Sequence, residues 1–162
     1  MRVVLAMHSQ LAASVAASLR KSGHEGLTLS AEAPPMASTD ETAMGAARER
    51  LRRQLDQAVA QFDPHLIHAE GLTFWGQLAC ETGVPYVVTL VADDLDHADG
   101  SRLKELAEQG AQNARCVLVP APFGEESKRL LEGLDNIAAA PWWPDQLAPL
   151  EALYRAALDR IA

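Results

Sequence analysis

The sequence predicts a single doubly wound α/β domain, a Rossmann-like parallel sheet of about six strands with helices on both faces. Three observations support this prediction. The chain has 162 residues, which is within the usual size of one domain, roughly 100 to 200 residues. Short continuous apolar runs alternate with amphipathic helical segments. The connections between them are short, as parallel strands joined by right-handed crossovers require. We therefore expect one domain over residues 1–162, without an interdomain linker.

The first half of the chain contains two predicted strand and helix units. Arg2–Met7 is an apolar, β-branched run typical of a strand that is buried on both faces. Apolar residues at four-residue spacing predict a helix over Gln10–Ser22, ended by Gly23. A second strand is predicted at Gly26–Ser30. An acidic first turn and periodic leucines then predict a long helix over Thr39–Gln61.

The second half repeats this alternation, with Gly-Val-Pro and Gly-Leu-Asp sequences at turns from helix to strand. The predicted strands are Leu66–Ala69, Tyr86–Val91, Cys116–Pro120 and Asn136–Ala139, and the predicted helices are Thr73–Thr82, Ser101–Asn113 and Phe123–Glu132. A last periodic segment, Leu147–Ile161, carries leucines on one face. We expect this C-terminal helix to pack back on the domain.

Composition and charge narrow the classes of partner. The formal charge is −8, with 22 acidic and 14 basic residues, so nucleic acid and anionic lipid surfaces would be repelled. No window approaches the roughly 18 to 20 apolar residues of a membrane span. The two cysteines, Cys80 and Cys116, lie in apolar stretches and fit small buried thiols of a reducing compartment. We expect a cytoplasmic protein.

The standard cofactor motifs are missing from the sequence. The segment after the first strand, Met7–Ser14, contains no glycine, although a dinucleotide-binding turn needs several. There is no Walker-type loop, no HExxH and no close cysteine pair. The acidic segment Asp93–Asp99 could bind a hard cation, but its spacing does not match a calcium-binding loop. We interpret its carboxylates as stabilising the N-terminus of the helix that follows. We expect no cofactor and no metal.

The candidate ligand-binding residues follow from the rule that open α/β sheets bind ligands at the carboxyl ends of their strands. They are His8, Ser9 and Gln10 after the first strand, His68, Glu70, Gly71 and Trp75 after the third, and Asp93 and Asp94 after the fourth. An imidazole oriented by a carboxylate can act as a general acid or base. His8, His68 and Glu70 would form such a group if the first and third strands were close, which we expect only across a gap. No catalytic residue is assigned.

The tail begins with two adjacent indoles, Trp142 and Trp143, between prolines. Both cannot easily be buried within one short segment. One is expected to cover the end of the sheet, and the other is a candidate for an interface with a partner or a second subunit.

Several motifs resemble the N-terminal domains of family 4 glycosyltransferases of GT-B architecture. The segments FDPHLIHAEGL, at Phe62–Leu72, and LACETGVPYVVTL, at Leu78–Leu90, are similar to the family's "PDvIHaHg" and "GvPvVvTlHG" patterns. RCVLVPAPFGEESKRLL, at Arg115–Leu131, is similar to the strand and helix that follow. The sequence departs from the pattern where the family has its histidines: Glu70 aligns with one, and Val91 or Ala92 with the other.

The resemblance implies the acceptor-side half of a glycosyltransferase, with the nucleotide-sugar half missing and the last helix returning to the N-terminal domain. It implies a domain that binds a sugar-like acceptor, or pairs with a separate catalytic or donor-binding subunit, and that is inactive in glycosyl transfer by itself. Two alternatives stay open. One is a small stand-alone enzyme that uses His8, His68, Glu70 and Asp93. The other is a structural module that covers its cleft by self-association.

Overall fold

The computed structural model describes residues 1–29, 41–95, 102–123 and 126–160. They form one six-stranded, all-parallel sheet. Its strands are β1 Arg2–Ala6, β2 Glu25–Thr28, β3 Leu66–Glu70, β4 Tyr86–Thr89, β5 Cys116–Pro120 and β6 Ile137–Ala140. The helices are α1 Ser9–Lys21, α2 Glu41–Phe62, α3 Gln77–Thr82, α4 Arg102–Asn113 and α5 Ala148–Asp159. The predicted fold class is confirmed.

The strand order is β2-β1-β3-β4-β5-β6. The chain first adds β2 on one side of β1 and then places β3 directly on the other side, with Val3 opposite Leu66 and Ala6 opposite Ala69. The prediction that the first and third strands meet only across a gap is therefore wrong. The order of strands reverses between β1 and β3, so the topological switch point of the sheet lies there.

One face of the sheet is covered by α2, α3 and α4. The apolar core on this side joins Val4, Ile67, Val88 and Val117 of the strands to residues of the helices such as Leu55. α4 approaches so closely that a side chain at Gly110 would place its Cβ 2.6 Å from the carbonyl oxygen of Leu72.

The opposite face is covered by α1 and α5. Val15 and Leu19 of α1, together with Leu150 and Tyr154 of α5, pack on alternate strand residues such as Leu5. Because side chains alternate between the two faces of a strand, both sets of core residues come from the same continuous apolar runs. The expectation that the C-terminal helix packs back on the domain is confirmed.

Two predicted helices differ from the structure. The first turn expected in the helix Thr73–Thr82 is instead a wide π-helical turn, Gly71–Gly76, in which the backbone N–H of Gln77 donates to the carbonyl of Leu72. Gly76 permits this geometry, because a Cβ there would lie 3.0 Å from the carbonyl oxygen of Gly71.

The helix predicted over Phe123–Glu132 is wrong. In the described residues of this crossover there are only two short 3₁₀ turns, Ala121–Phe123 and Glu126–Lys128, followed by irregular turns. The segment contains good helix formers, so tertiary context, rather than intrinsic propensity, decides its conformation.

Candidate functional site

The loops after β1 and β3 meet at the switch point. The backbone N–H of His8, the residue that precedes α1, donates to Oε2 of Glu70 at 2.7 Å. Helix α1 has no acidic residue in its own first turn. The carboxylate of Glu70 therefore supplies a negative charge beside the positive N-terminal end of this helix.

Four polar residues lie together at this edge of the sheet. His8, Ser9 and Gln10 are exposed, and Glu70 is half-buried. Their imidazole, hydroxyl, amide and carboxylate are groups that can donate hydrogen bonds to a hydroxyl-rich ligand and accept them from it. We call these four residues the switch-point group.

Asp94 joins the loop after β4 to the turn after β3. Its side chain is 3% exposed. Its carboxylate accepts hydrogen bonds from the backbone N–H groups of Leu72, at 2.9 Å, Thr73, at 3.3 Å, and Val91, at 3.0 Å, and from the Thr73 hydroxyl at 3.2 Å. Burial raises the pKa of Asp94, and these donors oppose that shift. Asp94 thus holds two site loops in place without reaching solvent.

Gly71 and Trp75 also serve the packing of the turn after β3. Gly71 has a φ of +88°, a left-handed conformation that favours glycine. Trp75 is 2% exposed and belongs to the core under α2, α3 and α4. Both residues are buried, so neither contributes to the exposed surface at the switch point. The side chain of Asp93 lies outside the described residues.

His68 lies within β3 and not in the loop after it, with which the rule about strand ends had grouped it. It is fully buried on the face covered by α5. Its Nδ1 lies 2.5 Å from the Tyr154 hydroxyl and its Nε2 2.7 Å from the Thr89 hydroxyl. A neutral imidazole donates from one nitrogen and accepts at the other, so two hydroxyls satisfy both.

Burial also fixes the protonation state of this imidazole. Loss of hydration lowers the pKa of His68 to about 3, so the ring stays neutral at physiological pH. The structure therefore does not bring His68 together with His8 and Glu70. Thr89 and Tyr154, which hold the ring, were not singled out in the sequence. Only the buried register of β4 and the apolar face of α5 could have indicated them.

The two adjacent tryptophans differ in their surroundings. Trp143 is 6% exposed and packs on His68, with ring centroids 5.2 Å apart. Trp142 is half-buried and meets Trp143 edge to face at 6.2 Å. Packing within the domain accounts for Trp143. A role of Trp142 at an interface stays a prediction.

Two features are missing from the described residues. They contain no group of three or more histidine, cysteine or acidic side chains positioned to hold a metal ion. In the same part of the chain, no helix combines the length and apolar character needed to cross a bilayer.

Solved structures share this fold. A sucrose-phosphate synthase from Thermosynechococcus elongatus, in a form labelled 27_220_406_426, superposes with a TM-score of 0.69 at 13% identity, over 100% of both chains. Another structure of sucrose-phosphate synthase from the same organism gives a TM-score of 0.63 at 13% identity, covering 86% of this chain. This chain spans 47% of that second protein's length. No curated protein matches the sequence.

A family match agrees with the resemblance seen in the sequence motifs. The model of the glycosyl transferase 4-like domain matches residues 8–143. This range begins at His8, at the switch point, and ends at the buried Trp143. It includes five of the six strands, β2 to β6. The chain therefore belongs to the glycosyl transferase 4-like domain family.

Proposed function

We propose that this domain is the acceptor-side half of a two-part glycosyltransferase. It binds a polyhydroxylated acceptor at the switch-point group, and a separate domain or chain binds the nucleotide-sugar donor. Transfer requires both parts.

The observation that carries this proposal is the short connection between β6 and α5. β6 ends at Ala140 and α5 begins at Ala148, so only residues 141–147 join the sheet to the helix that covers it. A second domain does not fit within so short a segment, since domains rarely have fewer than about 50 residues.

The comparison with sucrose-phosphate synthase supports the same interpretation. The label 27_220_406_426 reads as two segments of one chain, and this form is covered completely by the present chain. We infer that the intervening part of the synthase corresponds to a donor-binding domain inserted at the position of the β6–α5 connection. Here that insertion is replaced by a tight turn.

The chemistry at the switch point supports acceptor binding. The polar groups of the exposed His8, Ser9 and Gln10 and of the half-buried Glu70 suit hydroxyl recognition. These residues lie at the switch point, where open α/β sheets bind ligands. The positions of the family's histidines carry Glu70 and Val91 or Ala92 instead. This difference supports a domain that binds an acceptor and does not complete the chemistry alone.

Burial of His68 weighs against the alternative of a stand-alone enzyme. That alternative needs the imidazole to exchange protons with a substrate, but its nitrogens contact Tyr154 and Thr89 in the core. A proton donor or acceptor must lie within about 3 Å of the reacting group.

Thermal unfolding in the presence of ligands tests the proposal. A sugar acceptor at 100 times its Kd stabilises the folded state by about 2.7 kcal/mol, which raises Tm by roughly 5 to 10 °C for a domain of this size. We expect such a shift with at least one member of a panel of mono- and disaccharides. UDP- and GDP-sugars should leave Tm unchanged, and a shift of several degrees with them would contradict the proposal.

A pair of variants on one helix locates the binding site. His8→Ala removes an exposed imidazole at the start of α1 and should weaken acceptor binding by about ten-fold. Lys21→Ala removes an exposed side chain at the other end of α1 and should leave binding unchanged. Equal acceptor affinity in the two variants would place the acceptor elsewhere.

A further inference from the structure

The N-terminal end of α1 already holds a negatively charged group of the protein itself. Helix α1 has 13 residues, and the first N–H groups of any such helix have no acceptor within the helix. They make a helix N-terminus a favourable position for an anion. Here the backbone N–H of His8 donates to Oε2 of Glu70 at 2.7 Å. The carboxylate of Glu70 therefore lies where the anionic group of a ligand would otherwise bind.

The charges at this helix end do not cancel. A helix dipole is equivalent to about half a positive charge at the N-terminus, whereas a carboxylate carries a full negative charge. The first turn of α1, Ser9, Gln10 and Leu11, contains no lysine or arginine. The helix end and Glu70 together thus have a net negative charge, and they repel a second anion placed beside them.

The chain segments that leave the carboxyl ends of β1 to β4 add to this negative charge. They are 7–8, 29–40, Gly71–Gly76 and 90–101, and their sequences contain no lysine or arginine. Their acidic residues are Glu32, Asp40, Asp93, Asp94, Asp96 and Asp99. The basic residue nearest to them in the sequence is Arg102, the first residue of α4. One positive charge does not balance these acidic residues, so this edge of the sheet disfavours anions.

We propose that the acceptor bound at the switch-point group is an uncharged sugar or polyol, and that Glu70 excludes phosphorylated and carboxylated sugars. The inference rests on the proposed function, since it names the class of acceptor for the same site. A carboxylate has roughly four acceptor positions, and the N–H of His8 uses one of them. The others can accept hydrogen bonds from hydroxyl groups, which a phosphate dianion or a carboxylate cannot donate.

Inorganic phosphate tests the exclusion without knowledge of the acceptor. The titration is carried out at constant ionic strength and at pH 8, where histidine is ordinarily neutral, and it is followed by the amide NMR signals of Ser9 and Gln10. We expect no saturable shift of these signals in wild type at millimolar phosphate. Glu70→Ala removes the charge and frees the N–H of His8, so it should bind phosphate at least about ten-fold more tightly than wild type.

Two further variants complete the phosphate titration. Glu25→Gln is the matched control, because Glu25 is exposed at the start of β2, at the opposite edge of the parallel sheet. It removes one negative charge and should leave the titration unchanged. Glu70→Gln removes the charge but keeps an acceptor for the N–H of His8, and it should bind phosphate about three-fold more tightly than wild type. Circular dichroism and Tm show whether each variant is folded, and Glu70→Gln serves if Glu70→Ala is not.

Pairs of sugars that differ only in a phosphate group test the preference of the site. Glucose and mannose are each compared with their 6-phosphates by isothermal titration calorimetry. We expect the neutral member of at least one pair to bind at least about ten-fold more tightly than its phosphate, because the ester brings up to two negative charges close to Glu70. In Glu70→Gln this ratio should fall about three-fold or more.

Three results would overturn the inference while leaving an acceptor site in place. They are saturable binding of phosphate at Ser9 and Gln10 of wild type, no gain of phosphate binding in the folded Glu70 variants, and a 6-phosphate that binds more tightly than its parent sugar. The proposed function fails differently. If no sugar and no sugar phosphate binds, but the Glu70 variants gain phosphate binding as expected, the site binds no acceptor and the exclusion of anions by Glu70 is still supported.

Discussion

Removing the titratable group of His68 should flatten the dependence of stability on pH. The folded chain holds the pKa of this imidazole at about 3, while the unfolded value is near 6.5. Between these two values the unfolded chain binds a proton that the folded chain does not. The free energy of unfolding therefore falls as pH falls through this window, and the contribution is fully present only above about pH 6.5.

The size of this effect follows from the two pKa values. Between pH 7 and pH 5 the preferential protonation of the unfolded chain lowers the free energy of unfolding by about 2 kcal/mol. His68→Gln introduces an amide that can hydrogen-bond to Tyr154 or Thr89 but cannot titrate. This substitution should lower the free energy of unfolding by about 1 to 3 kcal/mol at pH 7. Between pH 7 and pH 5 the variant should then lose about 2 kcal/mol less of its free energy of unfolding than wild type does.

Urea unfolding at pH 7 and pH 5 measures both quantities. The difference between wild type and variant cancels the contributions of other titrating groups, provided that they are unaffected by the substitution. His65→Gln is the matched control, because His65 is exposed, and it should follow wild type. If wild type and His68→Gln lose the same free energy between the two pH values, within about 0.5 kcal/mol, buried neutral His68 is not the cause of acid sensitivity.

Three further substitutions test the packing, each by urea unfolding. Asp94→Asn replaces one of two oxygens that accept from backbone N–H groups by an NH₂ donor, and it should cost about 2 to 3 kcal/mol. An unchanged free energy of unfolding would contradict the role of Asp94 in holding the two loops. Gly110→Ala drives a Cβ onto the backbone of the π-helical turn and should lower the free energy of unfolding by about 1 to 3 kcal/mol. Gly45→Ala is the control, because there is open space around Gly45 in α2. It should raise the free energy of unfolding by about 0.5 to 1 kcal/mol. Trp143→Ala should lower the free energy of unfolding by about 3 to 5 kcal/mol, because it leaves a cavity beside the sheet. Trp142→Ala should lower it clearly less. A larger loss for Trp142→Ala than for Trp143→Ala would place Trp142 in the core.

The strands were predictable because burial on both faces of a parallel sheet leaves a local record, an uninterrupted apolar run such as Val3–Ala6. The order of the strands leaves no such record. Whether β3 lies beside β1 or beyond another strand depends on the path of a crossover, and the contact between His8 and Glu70 depends on that path.

The site residues show where local reasoning stops. His8, Ser9, Gln10 and Glu70 were found by the general rule about strand ends, and the structure places them together at one edge. The same rule grouped His68 with the residues after the third strand, although the predicted strand Leu66–Ala69 contains it. Its partners come from distant positions, Thr89 in β4 and Tyr154 in α5, and only the folded structure brings these hydroxyls to its nitrogens.

The crossover after β5 illustrates the other limit. Its residues favour a helix locally, yet the described chain passes through short turns there. Ile137 of β6 is 41% exposed beside this crossover, so sequence periodicity predicted a covered surface where the described part of the chain leaves that side chain open.

The position of α5 has a consequence for how the protein is made. Tyr154 and Leu150 of this helix close the core over β1, β3 and β4, but they are synthesised long after those strands. A nascent chain that has emerged only as far as β6 has α1 on that face but still lacks the part of the cover that α5 supplies. The ribosome must therefore release α5 before the sheet is protected on both sides, and until then the emerging chain is a substrate for chaperones.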